Sequence, residues 1–157
     1  MSKLWSVLAG LLPVLGGGSR SSLAVSVPSG DGVIEAAIQE ARASLDMFTK
    51  ALSQPSPGQS DFSVKVPVRE GETTHFLWSQ QISFDGSNFS GVLGPEAAGI
   101  KGHSPGERVT IASKEIEDWM FVENEKLAGG FSLRAIRKRL SGEARKQFEK
   151  SLWFKFE

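Results

Sequence analysis

Apolar residues recur near the start of the chain with the period of a helix. From Val33 to Leu52 they are spaced alternately by four and three residues, which places them along one face of a single helix. Asp31 lies just ahead of this pattern and is a residue type that caps helix N-termini well. Residues 54–58 include two prolines, which end the helix because proline lacks an amide donor.

The period then changes to two, which is typical of a strand with one buried face. Residues 62–68 alternate between apolar and polar positions, with Lys65 on the polar side. Pro67 indicates that this strand lies at the edge of a sheet. Residues 74–84 form a longer predicted strand, and its large apolar side chains share one face: Phe76, Trp78, Ile82 and Phe84.

The rest of the chain predicts more strands and then helices. A turn at 85–88 joins the long strand to residues 89–93 as a hairpin. Further strands are expected at 108–112, 119–122 and 127–131. Ser113 is expected to cap a helical turn at 114–118, and Ser132 and Ser141 to begin two C-terminal helices. The fold class is therefore α+β, a small antiparallel sheet with an N-terminal helix packed on it and C-terminal helices.

Residues 1–30 differ from the single domain predicted at 31–157. Their apolar run is about a dozen residues long, whereas a membrane span needs about 20, so no transmembrane segment is predicted. Lys3 with Gly16 and Gly18 fits a secretory signal peptide over residues 1–18, which would place the protein in the periplasm or outside the cell. A flexible apolar tail on a cytoplasmic protein fits equally well, and both interpretations stay open.

Composition removes several classes of function. The 157 residues carry 18 basic and 18 acidic side chains, so no global field attracts nucleic acid or an anionic membrane. The chain has no cysteine and no tyrosine, which excludes thiolate chemistry, disulfides and a phenol acting as acid or base. His75 and His103 have no carboxylate at ligand spacing, so we predict no metal site, and no motif indicates a cofactor.

Three features of the chain bear on possible chemistry. Glu117 and Asp118 flank Trp119 and could form a carboxylate pair for acid–base work. The pair Gly129–Gly130 lacks the frame of a phosphate-binding loop and indicates a bulge or a close backbone approach. Residues 134–150 are rich in basic side chains, Arg137 and Arg139 among them, and could bind anions. The acidic segment just before them favours a solvated helix face instead, and no nucleic-acid partner is expected.

Several sequence blocks carry a family resemblance. These blocks are residues 62–67, 75–78, 82–86, 89–91, 116–120 and 129–131. With them, residues 33–150 resemble the YegJ-like bacterial proteins, a domain of unknown function. The resemblance implies a fold and transfers no catalytic residue. The chain departs from the family in having Phe121 and Phe131 where tyrosine is usual, and Gln80–Gln81 where an acidic residue is common. More loosely, the family resembles small immunity-type proteins of bacterial toxin systems.

These observations favour a non-enzymatic binding or protein-interaction module whose partner is another protein. The candidate interaction residues are Trp119, Glu117, Asp118, Gly129, Gly130, Arg137 and Arg139. One alternative is a small hydrolase or transferase that uses the acidic turn around Trp119. A second alternative is an anion-binding protein that uses the basic C-terminal helices. The sequence does not define the oligomeric state.

Overall fold

The computed structural model describes residues 4–8, 24–28 and 32–157. Its strands are β1 (Leu4–Leu8), β2 (Ala24–Pro28), β3 (Gln59–Glu70), β4 (Thr73–Phe84), β5 (Asn88–Leu93), β6 (Arg108–Ala112), β7 (Asp118–Glu123) and β8 (Lys126–Gly129). Its α helices are α1 (Gly32–Ala43), α2 (Leu45–Ser53), α3 (Phe131–Arg139) and α4 (Gly142–Lys150). Two 3-10 turns lie at Pro95–Gly99 and Ser113–Glu115.

Six strands form one antiparallel sheet in the order β6-β5-β4-β3-β7-β8, and β1 pairs with β2 in a separate antiparallel ribbon. The sheet, the N-terminal helices and the C-terminal helices confirm the predicted α+β class. The strands β1 and β2 were not predicted, and β1 lies close to β4. Most of the segment 1–30, and the predicted cap Asp31, lie outside the described residues.

The single helix predicted over residues 33–52 is wrong, because the structure divides it into α1 and α2 at Ser44. The Ser44 hydroxyl donates to the Glu40 carbonyl at 2.7 Å. The Met47 amide then bonds to the Ser44 carbonyl at 3.0 Å, only three residues back, and begins a new helix. A serine side chain that competes for helix carbonyls commonly bends or ends a helix in this way.

A β-bulge in β4 changes which side chains share a face. The ladder between β4 and β5 shifts register between Gln80 and Ser83, where Gln81 has a positive φ of 53°. Because two residues then oppose one, the side chains beyond the bulge change sides. Phe76 and Trp78 share one face, whereas Ile82 and Phe84 lie on the other, so the predicted common face is wrong.

The expected edge position of β3 is also wrong, since β3 lies between β4 and β7. Its ladder with β7 ends at the pair Lys65–Asp118, whereas its ladder with β4 continues to Glu70. Among the described strands, Pro67 therefore has a partner on one side only. Proline is tolerated inside this sheet because the strand is locally an edge where its amide is missing.

Both faces of the central strands are covered. Neighbouring β3 residues Val64 and Lys65 are only 1% and 2% exposed although they project to opposite faces. One apolar cluster joins α1, α3, α4 and the C-terminal segment to Trp78 and Met120. The other joins Phe48 of α2 to strand residues that include Trp119. Trp78 and Trp119 are each 2% exposed, so both are core residues.

Candidate functional site

A row of three side chains crosses the centre of the sheet. Lys65 on β3 lies opposite Trp78 of β4 on one side and Asp118 of β7 on the other. Residues directly opposite each other in antiparallel strands project to the same face. Asp118 is fully buried, and Lys65 is nearly so. The alternation of residues 62–68 predicts an exposed position for Lys65, which is wrong because this face is also covered.

Asp118 supplies the acceptors that the first amides of α3 need. Its Oδ1 accepts from the amides of Trp119 at 2.9 Å and Phe131 at 3.1 Å. Its Oδ2 accepts from Ser132, through the amide at 2.8 Å and the hydroxyl at 2.5 Å. The helix begins at Phe131 with Gly130 as N-cap, so the prediction that Ser132 caps it is wrong. Because glycine has no side chain, a carboxylate from a neighbouring strand satisfies these amides instead.

The paired glycines allow the chain to pass close to β7. Gly129 and Gly130 have φ values of +70° and +63°, which disfavour other residues. A Cβ on Gly129 would lie 2.4 Å from the Trp119 carbonyl oxygen, and one on Gly130 would lie 2.6 Å from a Leu127 methyl carbon. The Gly130 amide donates to the Trp119 carbonyl at 2.8 Å. The two glycines thus bring the start of α3 within reach of Asp118.

Trp119 fastens α1 to the start of β7. Its indole Nε1 donates to the Ala41 carbonyl at 2.9 Å, and its ring lies 5.6 Å from the ring of Phe48. Beside it, the Arg42 Nε donates to the Ile116 carbonyl at 3.1 Å. Aromatic packing together with a satisfied indole donor is the usual arrangement of a buried tryptophan. The side chain of Trp119 is therefore part of the hydrophobic core and does not lie at the surface.

Glu117 is the carboxyl of this cluster whose pKa is shifted into the neutral range. Its amide donates to the Lys65 carbonyl at 3.1 Å, and the residue is 8% exposed. Burial raises the pKa of Glu117 to about 7, against the opposing effect of the Lys65 and Arg42 charges. A carboxyl that titrates near neutral pH can accept or donate a proton under physiological conditions.

The two buried charges of the row have opposite shifts. Burial lowers the pKa of Lys65, and the nearby Asp118 and Glu117 partly restore it. Burial raises the pKa of Asp118, and its hydrogen bonds from Ser132 oppose that change. A charge in a poorly solvated interior is destabilising unless other groups compensate it. Lys65 and Asp118 therefore depend on each other in the folded state.

Arg137 and Arg139 do not join this cluster, because they lie toward the other end of α3. The Arg137 Nε donates to the Glu149 carboxylate at 2.6 Å, and its guanidinium lies 4.8 Å from the centre of the Phe156 ring. Arg134, on the same helix, donates to the carbonyls of Leu127 and Gly129 at 2.8 and 2.9 Å. Arg134 and Arg137 of the basic segment are therefore used in internal contacts.

The structure brings both histidines to the turn between β3 and β4. His75 Nε2 lies 3.8 Å from a Glu70 carboxylate oxygen, and this buried nitrogen has no hydrogen-bond partner among the residues that the structure describes. His103 contacts Glu107 at 3.1 Å through Nδ1 and the Arg69 carbonyl at 3.0 Å through Nε2. In the part of the chain that the structure describes, no three or more histidine or acidic side chains are grouped so that they could hold a metal ion.

Five of the seven predicted site residues thus come together: Glu117, Asp118, Trp119, Gly129 and Gly130. Lys65, Arg42 and Ser132 complete their surroundings and were missed by the sequence analysis. Within the described residues, no helix has the length and apolar character needed to cross a membrane.

Comparisons with known proteins place the chain in a family. Residues 31–156 match the family model described as an uncharacterized protein conserved in bacteria, DUF2314. A putative ankyrin repeat protein from Neisseria meningitidis serogroup B is 36% identical over 94 residues, which cover 57% of this chain and 37% of that protein. The uncharacterized protein YegJ from Escherichia coli K12 is 28% identical over 98 residues, which cover 62% of each chain. The chain therefore matches less than two thirds of either relative.

No solved structure gives a significant match. The chain belongs to the DUF2314 family of bacterial proteins.

Proposed function

We propose that this chain is a non-enzymatic protein-interaction module. The observation that carries the proposal is that Asp118, the buried carboxylate of the acidic turn, already binds groups of its own chain. Both of its oxygens accept hydrogen bonds from the chain itself, from Trp119, Phe131 and Ser132. A catalytic carboxylate needs a free oxygen within reach of the reacting group. Asp118 instead holds α3 against β7.

The other candidate residues support the same conclusion. The indole donor of Trp119 is taken by Ala41, and Gly129 and Gly130 serve the close passage of the chain. Arg137 bonds to Glu149 and packs on Phe156, which reduces its availability to an external anion. With these groups engaged inside the domain, recognition of another protein by the outer surface is the function that the geometry leaves best supported.

The relative from Neisseria meningitidis supports this proposal from another direction. It is named a putative ankyrin repeat protein, and the matched region is 37% of its length. The looser family resemblance to immunity-type proteins favours one specific form of the proposal, in which the partner is a bacterial toxin protein.

Affinity capture from the native bacterium, followed by binding measurements with the purified partner, tests this function. We expect one protein to bind the wild type, and the E117Q variant to bind it equally well because Glu117 is buried. Charge reversals of exposed residues, one element at a time, should include at least one variant with tenfold weaker binding and an unchanged melting temperature. Failure of every captured protein to bind in purified form would contradict the proposal.

A second candidate function rests on the pKa of Glu117, about 7, which suits a general acid or base. It corresponds to a small hydrolase or transferase acting at the acidic turn. A screen of model esters and phosphodiesters tests it, with E117Q as the matched control. Loss of a general base typically lowers a rate by about 10²- to 10⁴-fold. An activity that E117Q retains would not come from this site.

A further inference from the structure

The two edges of the six-stranded sheet are finished differently. At the β8 edge the chain's own C-terminal segment adds further pairing. The Leu127 amide donates to the Lys155 carbonyl, and the Lys155 amide to the Glu125 carbonyl, both at 2.8 Å. At the β6 edge no such segment is found within residues 32–157. Proteins usually cover or interrupt an edge strand, because its unpaired backbone groups can bind another strand.

Hydrogen bonds at both ends of β6 show which backbone groups point outward. The Leu93 amide bonds to the Glu107 carbonyl at 2.9 Å, and the Ser113 amide to the Ser87 carbonyl at 3.1 Å. In an antiparallel ladder such bonded positions alternate with outward-facing ones. Val109 and Ile111 therefore bond to β5, while Arg108, Thr110 and Ala112 direct their amides and carbonyls away from the sheet. The strand contains no proline and no bulge in this ladder.

We propose that β6 pairs antiparallel with β6 of a second copy of this chain, around a two-fold axis at Thr110. In this register Thr110 lies opposite the partner's Thr110, and Arg108 lies opposite the partner's Ala112. Every outward amide and carbonyl of both strands then has a partner. The match follows because the three outward residues are placed symmetrically about Thr110, so the strand is complementary to itself. Self-complementary contacts of this kind build two-fold dimers, the commonest oligomers.

The side chains fit the same register. Val109 lies opposite the partner's Ile111, and both residues are only half-buried in the single chain. Cross-strand pairs of β-branched residues stabilise a sheet. Arg108 faces a small alanine instead of a second arginine, so the pairing places no like charges directly opposite each other. The charges of β6 therefore do not oppose its pairing with a second copy of itself.

Sedimentation velocity over a range of protein concentrations tests the dimer. We expect a concentration-dependent dimer for the wild type and a monomer for Thr110→Pro, which removes the central outward amide. Thr110→Val is the matched control, since it loses the same side-chain hydrogen bond to Ser90 but keeps the amide. It should still dimerise. A wild type that stays monomeric to about millimolar concentration, or a Thr110→Pro variant that dimerises normally, overturns the proposal.

Two further measurements keep the proposal testable if Thr110→Pro does not fold. In the wild type, raising the concentration should slow amide exchange at Arg108, Thr110 and Ala112, but not at Val109 and Ile111, which already bond to β5. Ala112→Glu places a carboxylate opposite the partner's Arg108 and should tighten the dimer about twofold or more. Uniform exchange changes along β6, or weaker association of Ala112→Glu, would refute this register. The dimer goes beyond the proposed function, and its absence would leave binding to another protein unaffected.

Discussion

The same chemical device occurs in two regions of this molecule with opposite electrostatic results. At the α3 corner, defined as residues 117–133, Asp118 accepts backbone amides in the buried interior. At the outer sheet, defined as residues 85–93 and 107–113, Asp85 accepts the amides of Ser87 and Asn88 at 2.8 and 2.7 Å in a solvent-exposed turn. The amides lower the pKa of Asp85, whereas burial raises the pKa of Asp118. The same kind of hydrogen bond thus has different consequences, because water can replace a partner only at the outer sheet.

The largest expected effect comes from removing the buried carboxylate. Asp118→Ala leaves the amides of Phe131 and Ser132 without an acceptor, and it leaves Lys65 without the carboxylate that lies opposite it on β7. Breaking such a buried arrangement from one side typically costs about 3 to 5 kcal/mol. Urea unfolding measures the loss, and Asp85→Ala is the control, for which we expect a much smaller change. Equal losses in the two variants would remove the distinction between the regions.

A matched pair of glycines gives the next effect. Gly129→Ala adds a Cβ 2.4 Å from the Trp119 carbonyl oxygen at a φ of +70°, so strain and overlap should together cost about 2 to 4 kcal/mol. Gly86→Ala in the outer sheet meets no atom within 4 Å at a φ of +101°. It should cost only the backbone strain, about 1 to 2 kcal/mol. Thermal unfolding of both variants makes the comparison, and a Gly86→Ala loss that equals the Gly129→Ala loss would contradict it.

Glu117 should make the α3 corner sensitive to pH. Its pKa is about 7 when folded and 4.5 by itself, so the folded state holds the proton more tightly. This contribution to stability is complete below about pH 4.5 and is lost as the pH rises through 7, with a total on the order of 3 kcal/mol. The unfolding free energy of the wild type minus that of E117Q should fall over this range. A flat difference would show that Glu117 ionises normally.

The smallest effect compares two serines. The Ser132 hydroxyl donates to buried Asp118, whereas the Ser90 hydroxyl pairs with Thr110 at the surface. Ser132→Ala should cost about 1 to 2 kcal/mol because a charged acceptor loses a buried donor. Ser90→Ala should stay within about 0.5 kcal/mol of the wild type. Chemical denaturation resolves this difference, and the reverse order would mean that Asp118 does not need the hydroxyl.

Local patterns predicted the regular parts of this fold well. The structure places β6 at Arg108–Ala112, as alternation and flanking turns predicted, and β4 and β5 differ from the expected strands by one residue each. Alternation did not reveal the bulge in β4, because residues on both sides of it are apolar. Alternation also does not indicate that β3 is covered on both faces. A buried lysine such as Lys65 gives the same pattern as a surface lysine, and only the positions of the helices and neighbouring strands distinguish the two.

The candidate site was only partly predictable, because its key contacts join separate elements. One signal could have found the role of Asp118. The hairpin turn at Asn124–Glu125 pairs Met120 with Gly129, and the same register carried two residues further places Asp118 opposite Phe131. That step identifies the carboxylate as the acceptor at the start of α3. No comparable local signal relates Lys65 or Arg42 to this corner, since β3 and β7 pair only through tertiary structure.

The hydrogen bond from Trp119 to Ala41 has a consequence for how the chain folds. It joins residues 78 positions apart, and the neighbouring bond from Arg42 to Ile116 spans 74. Hairpins such as β3–β4 and β7–β8 form by short loop closures, but this docking must close a long loop before any contact compensates for the lost entropy. Proteins rich in such distant pairings fold in milliseconds to seconds. We therefore expect the burial of Trp119 to be the slow step of folding. The hairpins should form before α1 docks on β7.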